Sequence, residues 1–136
     1  MHATILIVDG WPASRSLLAS CFCQSGFHVK VADNGLDCLI ALQERCPQLL
    51  LVDLDSTWGG TPAVAAFFRG AAGRVEMPIT VLLASESPDV TSRRTGVPES
   101  CCFQKPVSLE GLLDQVGLAV ALIDLRCHAL VDNTWS

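Results

Sequence analysis

Two acidic residues, Asp53 and Asp55, lie at the end of an apolar run in the segment LLLVDLDSTWGG. A short apolar run that ends in an acid and a turn rich in Ser, Thr and Gly is typical of a buried parallel strand. Such a strand delivers its last side chain to the carboxyl edge of the sheet, where open α/β folds keep their sites. A carboxylate there can form an aspartyl phosphate. The segment therefore predicts phosphoryl chemistry centred on Asp53.

Two more charged residues follow other apolar runs. Asp9 comes directly after the run at residues 4–8, and Lys105 comes shortly after the run at 101–103. Right-handed crossovers would place the first and third strands side by side near the middle of a parallel sheet, so Asp9 and Asp53 would end at the same edge. The fifth strand would bring Lys105 there as well. The sequence thus predicts that three residues far apart along the chain converge on one site.

The elements that position these residues are short apolar runs separated by segments with helical periodicity. This alternation is typical of βα units around a parallel sheet. We therefore expect an α/β, flavodoxin-like (βα)5 fold, with a five-stranded parallel sheet of order 2-1-3-4-5 and helices on both faces. The predicted strands lie at residues 4–8, 28–32, 49–54, 79–84 and 101–103.

Proline and capping residues predict the helix starts. Pro12 suits the first turn of a helix that runs to about residue 24 and is stopped by Gly26. Asp33 or Asn34 is expected to cap a second helix. Further helices are expected to begin at Thr61–Pro62, Ser87–Pro88 and Ser108, and the second helix is expected to turn Leu36, Leu39, Ile40 and Leu42 inward.

Composition limits the function classes. The chain has 136 residues, of which 50% are hydrophobic and 17% charged, and its formal net charge is -5. These values exclude a disordered chain and predict one domain, which we assign to residues 1–126, followed by a C-terminal tail at 127–136. Because no basic stripe is present to neutralise phosphates, direct binding of nucleic acid is not expected. A protein partner is the better interpretation.

The seven cysteines include no CxxC pair and do not have the spacing of a tetrahedral metal site. We expect them to be buried thiols in a reducing cytosol, without a metal cluster. The N-terminal segment MHATILIVDG lacks the pattern of a secretory signal, which predicts a cytoplasmic protein. Acidic residues interrupt the apolar stretch at 109–125, so we expect an amphipathic helix there rather than a membrane span.

The motifs LIVDG, ADNGLDCLIAL, LLLVDLD and QKPV occur in an order and spacing that resemble the receiver domain of bacterial response regulators, over roughly residues 3–125. The resemblance implies that Asp53 accepts a phosphoryl group from a histidine kinase or phosphotransfer protein, and that the chain is not itself an enzyme. It also implies that Asp9 belongs to a Mg²⁺ site and that Lys105 contacts the phosphoryl oxygens. A cis peptide bond would join Lys105 to Pro106 in this family.

Several positions depart from the receiver pattern. The second acid after the first strand is Gly10, the hydroxyl-bearing residue of the fourth strand is Leu83, and the aromatic residue of the switch is Cys102. The loop after Asp53 is also shorter than usual. Because Mg²⁺ affinity depends on the number and charge of its oxygen ligands, these changes predict weak Mg²⁺ binding, and they predict an atypical switch.

Asp55 leads to two further hypotheses. Its carboxylate could replace the charge missing at Gly10, which gives a metal site of Asp9, Asp53 and Asp55; alternatively, Asp55 caps its own turn. The letters DLDST also resemble the DxDxT signature of haloacid-dehalogenase-type phosphatases, in which both acids would be catalytic. Against that hypothesis, 52 residues precede Asp53 and no GDxxxD-like stretch follows it.

The predicted fold is also compatible with a pseudo-receiver and with a flavodoxin-type electron carrier. A pseudo-receiver would act as an interaction module independent of phosphorylation, and an electron carrier would need a phosphate-binding loop that DGWPASR does not resemble. The stretch VGLAVALIDL of the last helix is apolar nearly all round, which predicts a homodimer through that helix. The competing interpretation is that this face packs under the tail at 126–136.

Overall fold

The apolar runs of the sequence form the strands of one parallel sheet. The computed structural model describes residues 3–56 and 78–121. Within them the strands are β1 (Thr4–Val8), β2 (His28–Ala32), β3 (Leu49–Asp53), β4 (Ile79–Ala84) and β5 (Cys102–Gln104). The helices are α1 (Pro12–Gln24), α2 (Gly35–Glu44), α3 (Pro88–Thr95) and α4 (residues 109–121), and a 3-10 turn lies at Glu99–Cys101.

The sheet has the predicted order, β2-β1-β3-β4-β5, and all neighbouring strands are parallel. The bounds of β1, β2 and β4 agree with those expected from the sequence. β3 ends at Asp53 rather than at residue 54, although the Leu54 N–H still donates to the Leu83 carbonyl at 2.9 Å. β5 begins at Cys102, because Cys101 closes the 3-10 turn.

Two apolar clusters cover the two faces of the sheet. Side chains alternate between the faces along a strand, so Leu6 and Val8 lie in one cluster and Ile5 and Ile7 in the other. α2 packs into the first cluster, whereas α1 and α4 pack into the second. Every residue of β3 is buried, which is typical of a central parallel strand. Helices therefore lie on both faces, as predicted.

The helix ends follow the predicted capping residues. Asn34 is the N-cap of α2, and its side chain accepts a hydrogen bond from the Asp37 N–H at 2.8 Å. Ser108 accepts in the same way from the N–H of Gly111 at the start of α4. α1 begins at Pro12 and is followed by Gly26, whose φ of 95° places it in the left-handed region where glycine is favoured.

The inward face of α2 differs from the prediction. The side chains that face the sheet include Cys38 and Leu42, whereas Leu36 and Ile40 are 68% and 43% exposed. Gly35 lies on the buried side, so the stripe that packs on the sheet runs through positions 35, 38 and 42. Successive helical residues are separated by about 100° around the axis, and a stripe displaced by one residue therefore leaves Leu36 facing solvent.

The cysteines are less uniformly buried than expected. Cys38 and Cys102 are buried, Cys21 and Cys101 are half-buried, and the remaining two described cysteines, Cys23 and Cys46, are exposed. Burial raises the pKa of the Cys38 thiol to about 12. The prediction of buried thiols is thus wrong for the two exposed cysteines, which lie at the ends of α1 and α2 rather than on their packed faces.

Some predictions concern other parts of the chain. The predicted helix at Thr61–Pro62, the seventh cysteine, the domain boundary at residue 126 and the tail at 127–136 all lie outside the described residues. Within residues 3–56 and 78–121, no helix is long and apolar enough to cross a membrane.

Candidate functional site

Three strands bring charged side chains to the carboxyl edge of the sheet. Val8 and Val52 are register partners in adjacent strands, so the residues that follow them, Asp9 and Asp53, leave the sheet side by side. Beyond β5, the Lys105 N–H donates to the carbonyl of Ala84 at 2.8 Å, and its side chain extends towards Asp53. The structure therefore brings together the three residues that the sequence places there.

Lys105 forms the cationic centre of the site. Its Nζ lies 2.5 Å from Oδ2 of Asp53 and 3.3 Å from Oδ2 of Asp55. The same ammonium is 5.8 Å from the centroid of the Trp11 ring. Asp53 is only 3% exposed, so this contact provides charge compensation for a buried carboxylate. A cis peptide bond joins Lys105 to Pro106, as the resemblance implies.

The ion pairs change two pKa values. Burial lowers the pKa of Lys105, but the hydrogen bonds and charges of Asp53 and Asp55 outweigh burial, and the pKa lies above its ordinary value of 10.5. Burial raises the pKa of Asp55, but hydrogen bonds from Ser85 and Lys105, with the Lys105 charge, hold it below 3.8. Lys105 is therefore protonated and Asp55 ionised at neutral pH.

Asp9 has a different environment from Asp53, because its carboxylate is surrounded by hydroxyl and amide donors. Oδ1 accepts from the Trp11 N–H at 2.8 Å and from Oγ of Ser56 at 3.0 Å, and Oδ2 accepts from Oγ of Ser14 at 2.5 Å. Asp9 is fully buried. The sequence prediction missed Ser14 and Ser56. The position of Ser14 in the first turn of α1, beside an acidic strand end, is the signal that could have identified it.

Gly10 occupies the position where receiver domains have a second acid, and the loop after β3 fills the space beside it. The Gly10 N–H donates to Oγ of Ser56 at 3.1 Å. A Cβ added to Gly10 would overlap the carbonyl oxygen of Ser56. A larger side chain at position 10 therefore requires the Ser56 backbone to move.

Asp55 is held by the end of β4 rather than by its own turn. Its Oδ1 accepts from the Ser85 N–H at 3.2 Å, and its Oδ2 accepts from Oγ of Ser85 at 2.6 Å. The residue that caps the turn is Asp53, whose Oδ1 accepts from the Asp55 N–H at 3.0 Å. Ser85 thus directs its hydroxyl to Asp55, and the register partner of Asp53 is the buried side chain of Leu83.

The residues at this edge do not fit a bound Mg²⁺ ion in the described arrangement. Mg²⁺ needs several oxygen ligands in near-octahedral geometry. Both carboxylate oxygens of Asp9 accept hydrogen bonds, and the Lys105 ammonium lies against Asp53 and Asp55. Among the described residues, no three His, Cys, Asp or Glu side chains are grouped to hold a metal ion. The metal site of Asp9, Asp53 and Asp55 stays a prediction.

An open cleft of about 490 Å³ lies beside this cluster. Asp53 and Lys105 form part of its wall, and the surrounding side chains are mostly apolar. Trp11 and Leu17, both on the α1 side of the cleft, are 61% and 57% exposed. The cleft therefore offers an apolar surface next to a buried, ion-paired carboxylate.

No family model and no curated protein match the sequence. Solved structures do match it. A response regulator from Thermotoga maritima is similar, with a TM-score of 0.72 and 18% identity, covering 89% of this chain and 99% of the other. Chemotaxis response regulator CheY4 of Vibrio cholerae gives a TM-score of 0.73 and 18% identity, covering 88% of this chain and 99% of the other.

A longer protein also contains this fold. NtrX from Brucella abortus is similar with a TM-score of 0.75 and 22% identity, and the match covers 95% of this chain and 29% of NtrX. This chain thus spans less than a third of that protein. At such identities the likeness shows the fold, and the chain has the fold of response regulator receiver domains.

Proposed function

We propose that this chain is a receiver domain of a two-component phosphorelay, with Asp53 as the phosphoacceptor. The observation that supports it most directly is the contact between Nζ of Lys105 and the buried carboxylate of Asp53 at the carboxyl edge of the sheet. The likeness of the whole fold to receiver domains adds support. The phosphoryl donor would be a histidine kinase or phosphotransfer protein.

The chemistry is a phosphoryl transfer in which the protein positions and neutralises the reacting groups. A carboxylate oxygen of Asp53 attacks the phosphorus of a phosphohistidine, a P–O bond forms, and the P–N bond breaks as the electron pair returns to the imidazole. The ammonium of Lys105 screens charge on the transferred oxygens. Its raised pKa keeps it cationic throughout the physiological range.

The partner would approach over the open cleft. Trp11 and Leu17 give this side an apolar surface that suits an amphipathic helix, and the route ends at Asp53. A formal net charge of -5 argues against nucleic acid as the direct partner. The domain itself would act as a phosphoacceptor and not as an enzyme.

Acetyl phosphate tests the phosphoacceptor. The full chain is incubated with acetyl phosphate, with Mg²⁺ and separately with EDTA, and the adduct is read by intact mass and peptide mapping. We expect one phosphoryl group on Asp53, lost in Asp53→Asn and retained in the surface control Asp89→Asn. An adduct elsewhere, or none under either condition, would overturn the proposal.

A pseudo-receiver is the second candidate function, and two observations favour it. The carboxylate of Asp9 is already hydrogen-bonded by protein donors, and buried Leu83 stands opposite Asp53 where receivers have a hydroxyl. A partner isolated with the full chain distinguishes the candidates. A pseudo-receiver binds it equally in the wild type and Asp53→Asn, with or without acetyl phosphate, whereas a phosphoacceptor binds it in a donor-dependent way.

The phosphatase hypothesis receives no support from Asp55. A general acid must be protonated near its working pH, but the pKa of Asp55 lies below its ordinary value because of Ser85 and Lys105. Turnover of an aryl phosphate that requires a metal and disappears in Asp53→Asn would restore that hypothesis.

A further inference from the structure

Two serine hydroxyls donate hydrogen bonds to the carboxylate of Asp9, the residue that follows β1. The carboxylate of Asp9 is fully buried, and the donors that contact it are the Trp11 N–H and the hydroxyls of Ser14 and Ser56. Arg15 lies nearby, but its Nη1 donates to the Asp9 backbone carbonyl at 3.0 Å. Both carboxylate oxygens therefore receive hydrogen bonds from protein donors, which are strong when the acceptor is ionised.

Ser56 joins the ends of β1 and β3 at this point. Its Oγ donates to Oδ1 of Asp9 at 3.0 Å and accepts from the Gly10 N–H at 3.1 Å. Its carbonyl oxygen lies where a Cβ of residue 10 would stand. The absence of a side chain at Gly10 therefore leaves the space that the Ser56 backbone occupies.

We propose that Ser56 and Ser14 take the place of a divalent cation in this pocket. Their hydroxyls satisfy the Asp9 carboxylate, so the pocket is held together without Mg²⁺, and an entering ion would have to displace both hydrogen bonds. Mg²⁺ gives up its hydration water reluctantly and needs its ligands at near-ideal positions. An Asp9 carboxylate held by hydroxyls, beside a glycine that supplies no side-chain oxygen, does not meet that need.

This inference rests on the proposed receiver function in one respect: that function identifies the pocket around Asp9 as the place where Mg²⁺ would be expected. Mn²⁺ is the probe, because a paramagnetic ion broadens the amide signals of residues close to it. In the wild-type chain we expect no selective broadening at Asp9, Gly10 or Asp53 at millimolar Mn²⁺. Selective broadening of these amides in the wild type at millimolar or lower Mn²⁺ would overturn the inference.

Thermal unfolding gives a second readout. A site with a Kd of about 1 mM would raise the melting temperature by roughly 3–5 °C in 10 mM Mg²⁺. We expect no rise relative to a NaCl control of equal ionic strength. A rise of that size would contradict the inference.

Serine variants test the hydroxyls directly. In Ser56→Ala we expect selective broadening at Asp9 and Gly10 at a Mn²⁺ concentration about tenfold below the highest at which the wild type shows none, because one Asp9 lone pair is released. Ser56→Thr, which keeps the hydroxyl, and Ser25→Ala at the end of α1 are expected to behave like the wild type. If Ser56→Ala does not fold, Ser14→Ala tests the other oxygen. If Ser56→Ala and Ser14→Ala fold and both respond to Mn²⁺ as the wild type does, the inference is overturned.

The two proposals can fail separately. Cation binding in the wild type contradicts the role of Ser56 and Ser14 and leaves Asp53 as a phosphoacceptor. If the chain forms no phosphoryl adduct and also does not bind Mn²⁺, the phosphoacceptor role of Asp53 is contradicted. The proposed role of Ser56 and Ser14 then still stands.

Discussion

At the residue scale, one ammonium serves two carboxylates. Lys105 contacts both Asp53 and Asp55, so its removal changes the electrostatics of two acids at once. Asp53 would bear most of the cost, because the loss of a charged partner is destabilising for a buried carboxylate, whereas the side chain of Asp55 is more accessible to solvent.

Lys105→Met is expected to destabilise the chain by roughly 1–3 kcal/mol at neutral pH, since Asp53 loses a charged partner. It should also raise the pKa of Asp55, because Lys105 is one of the groups that lowers it. Carboxyl ¹³C titration and urea unfolding measure the two effects. Lys30→Met, which removes the other lysine of the chain, is the control. An unchanged Asp55 pKa would show that the ion pair does not persist in solution.

The stability difference between Lys105→Met and the wild type should depend on pH at both ends. The pKa of Asp55 is lowered, so its contribution is present above 3.8 and is lost as the pH falls through the lowered value. The pKa of Lys105 is raised, so its contribution is present below 10.5 and is lost as the pH rises through the raised value. The difference should therefore be largest between these limits.

The sequence predicts some residues of the site and not others, for a physical reason. Asp9, Asp53 and Lys105 follow strands, and parallel strands fix where their last residues emerge. Ser56 reaches Asp9 across 47 positions of sequence through the path of a loop, which no local pattern encodes. The hydrogen bonds of Asp55 escape prediction in the same way, because its partner Ser85 lies 30 positions away.

At the element scale, the turn after β1 depends on a glycine for space. Gly10→Ala is expected to destabilise the chain by about 1–3 kcal/mol, because the new Cβ would overlap the Ser56 carbonyl oxygen and force the loop to shift. Urea unfolding measures the change. Among the described residues, and apart from the backbone of its own helix and its two chain neighbours, nothing lies within 4 Å of a Cβ added to Gly117 of α4, so Gly117→Ala is the matched control. The control is expected to stabilise by about 0.5–1 kcal/mol. Equal stability of Gly10→Ala and the wild type would contradict the close approach of these two loops.

For helix α2, the start is predicted correctly from the sequence and the rotation about the helix axis is not. Its start at Gly35, after the Asn34 cap, follows from local chemistry. The leucine and isoleucine positions predict one rotation, but Cys38 fills the contact with the sheet. Positions 36, 39 and 40 and positions 35, 38 and 42 are both compatible with helical periodicity. Packing against the sheet determines which of the two sets is buried.

At the scale of the whole molecule, α4 carries the predicted self-association surface. Leu112 and Val116 face the core, whereas Leu118 is 60% exposed. Sedimentation of the full chain is expected to show a dimer at micromolar concentration. Leu118→Glu should shift it to monomer, and Leu36→Glu, at the exposed leucine of α2, should not. A wild-type monomer at micromolar concentration would contradict dimerisation through the last helix.

The general architecture follows from the sequence because each level of pattern agrees with the next. Apolar runs of strand length, proline and capping residues at the helix starts, and right-handed crossovers leave few possible topologies. The finer arrangement of the pocket depends on loops that the strand pattern leaves open. The strand pattern predicts a Mg²⁺ site at Asp9, but it does not predict the contact between Asp9 and Ser56 in the loop after β3.

The separations along the chain that the pocket spans have a consequence for folding. Ser56 meets Asp9 across 47 positions, and Lys105 meets Asp53 across 52. Closing loops of this length costs conformational entropy before any contact compensates for it. These bonds join segments that β1, β3 and β5 position in the folded sheet. We therefore expect the pocket to assemble late in folding and to be lost early when the sheet opens.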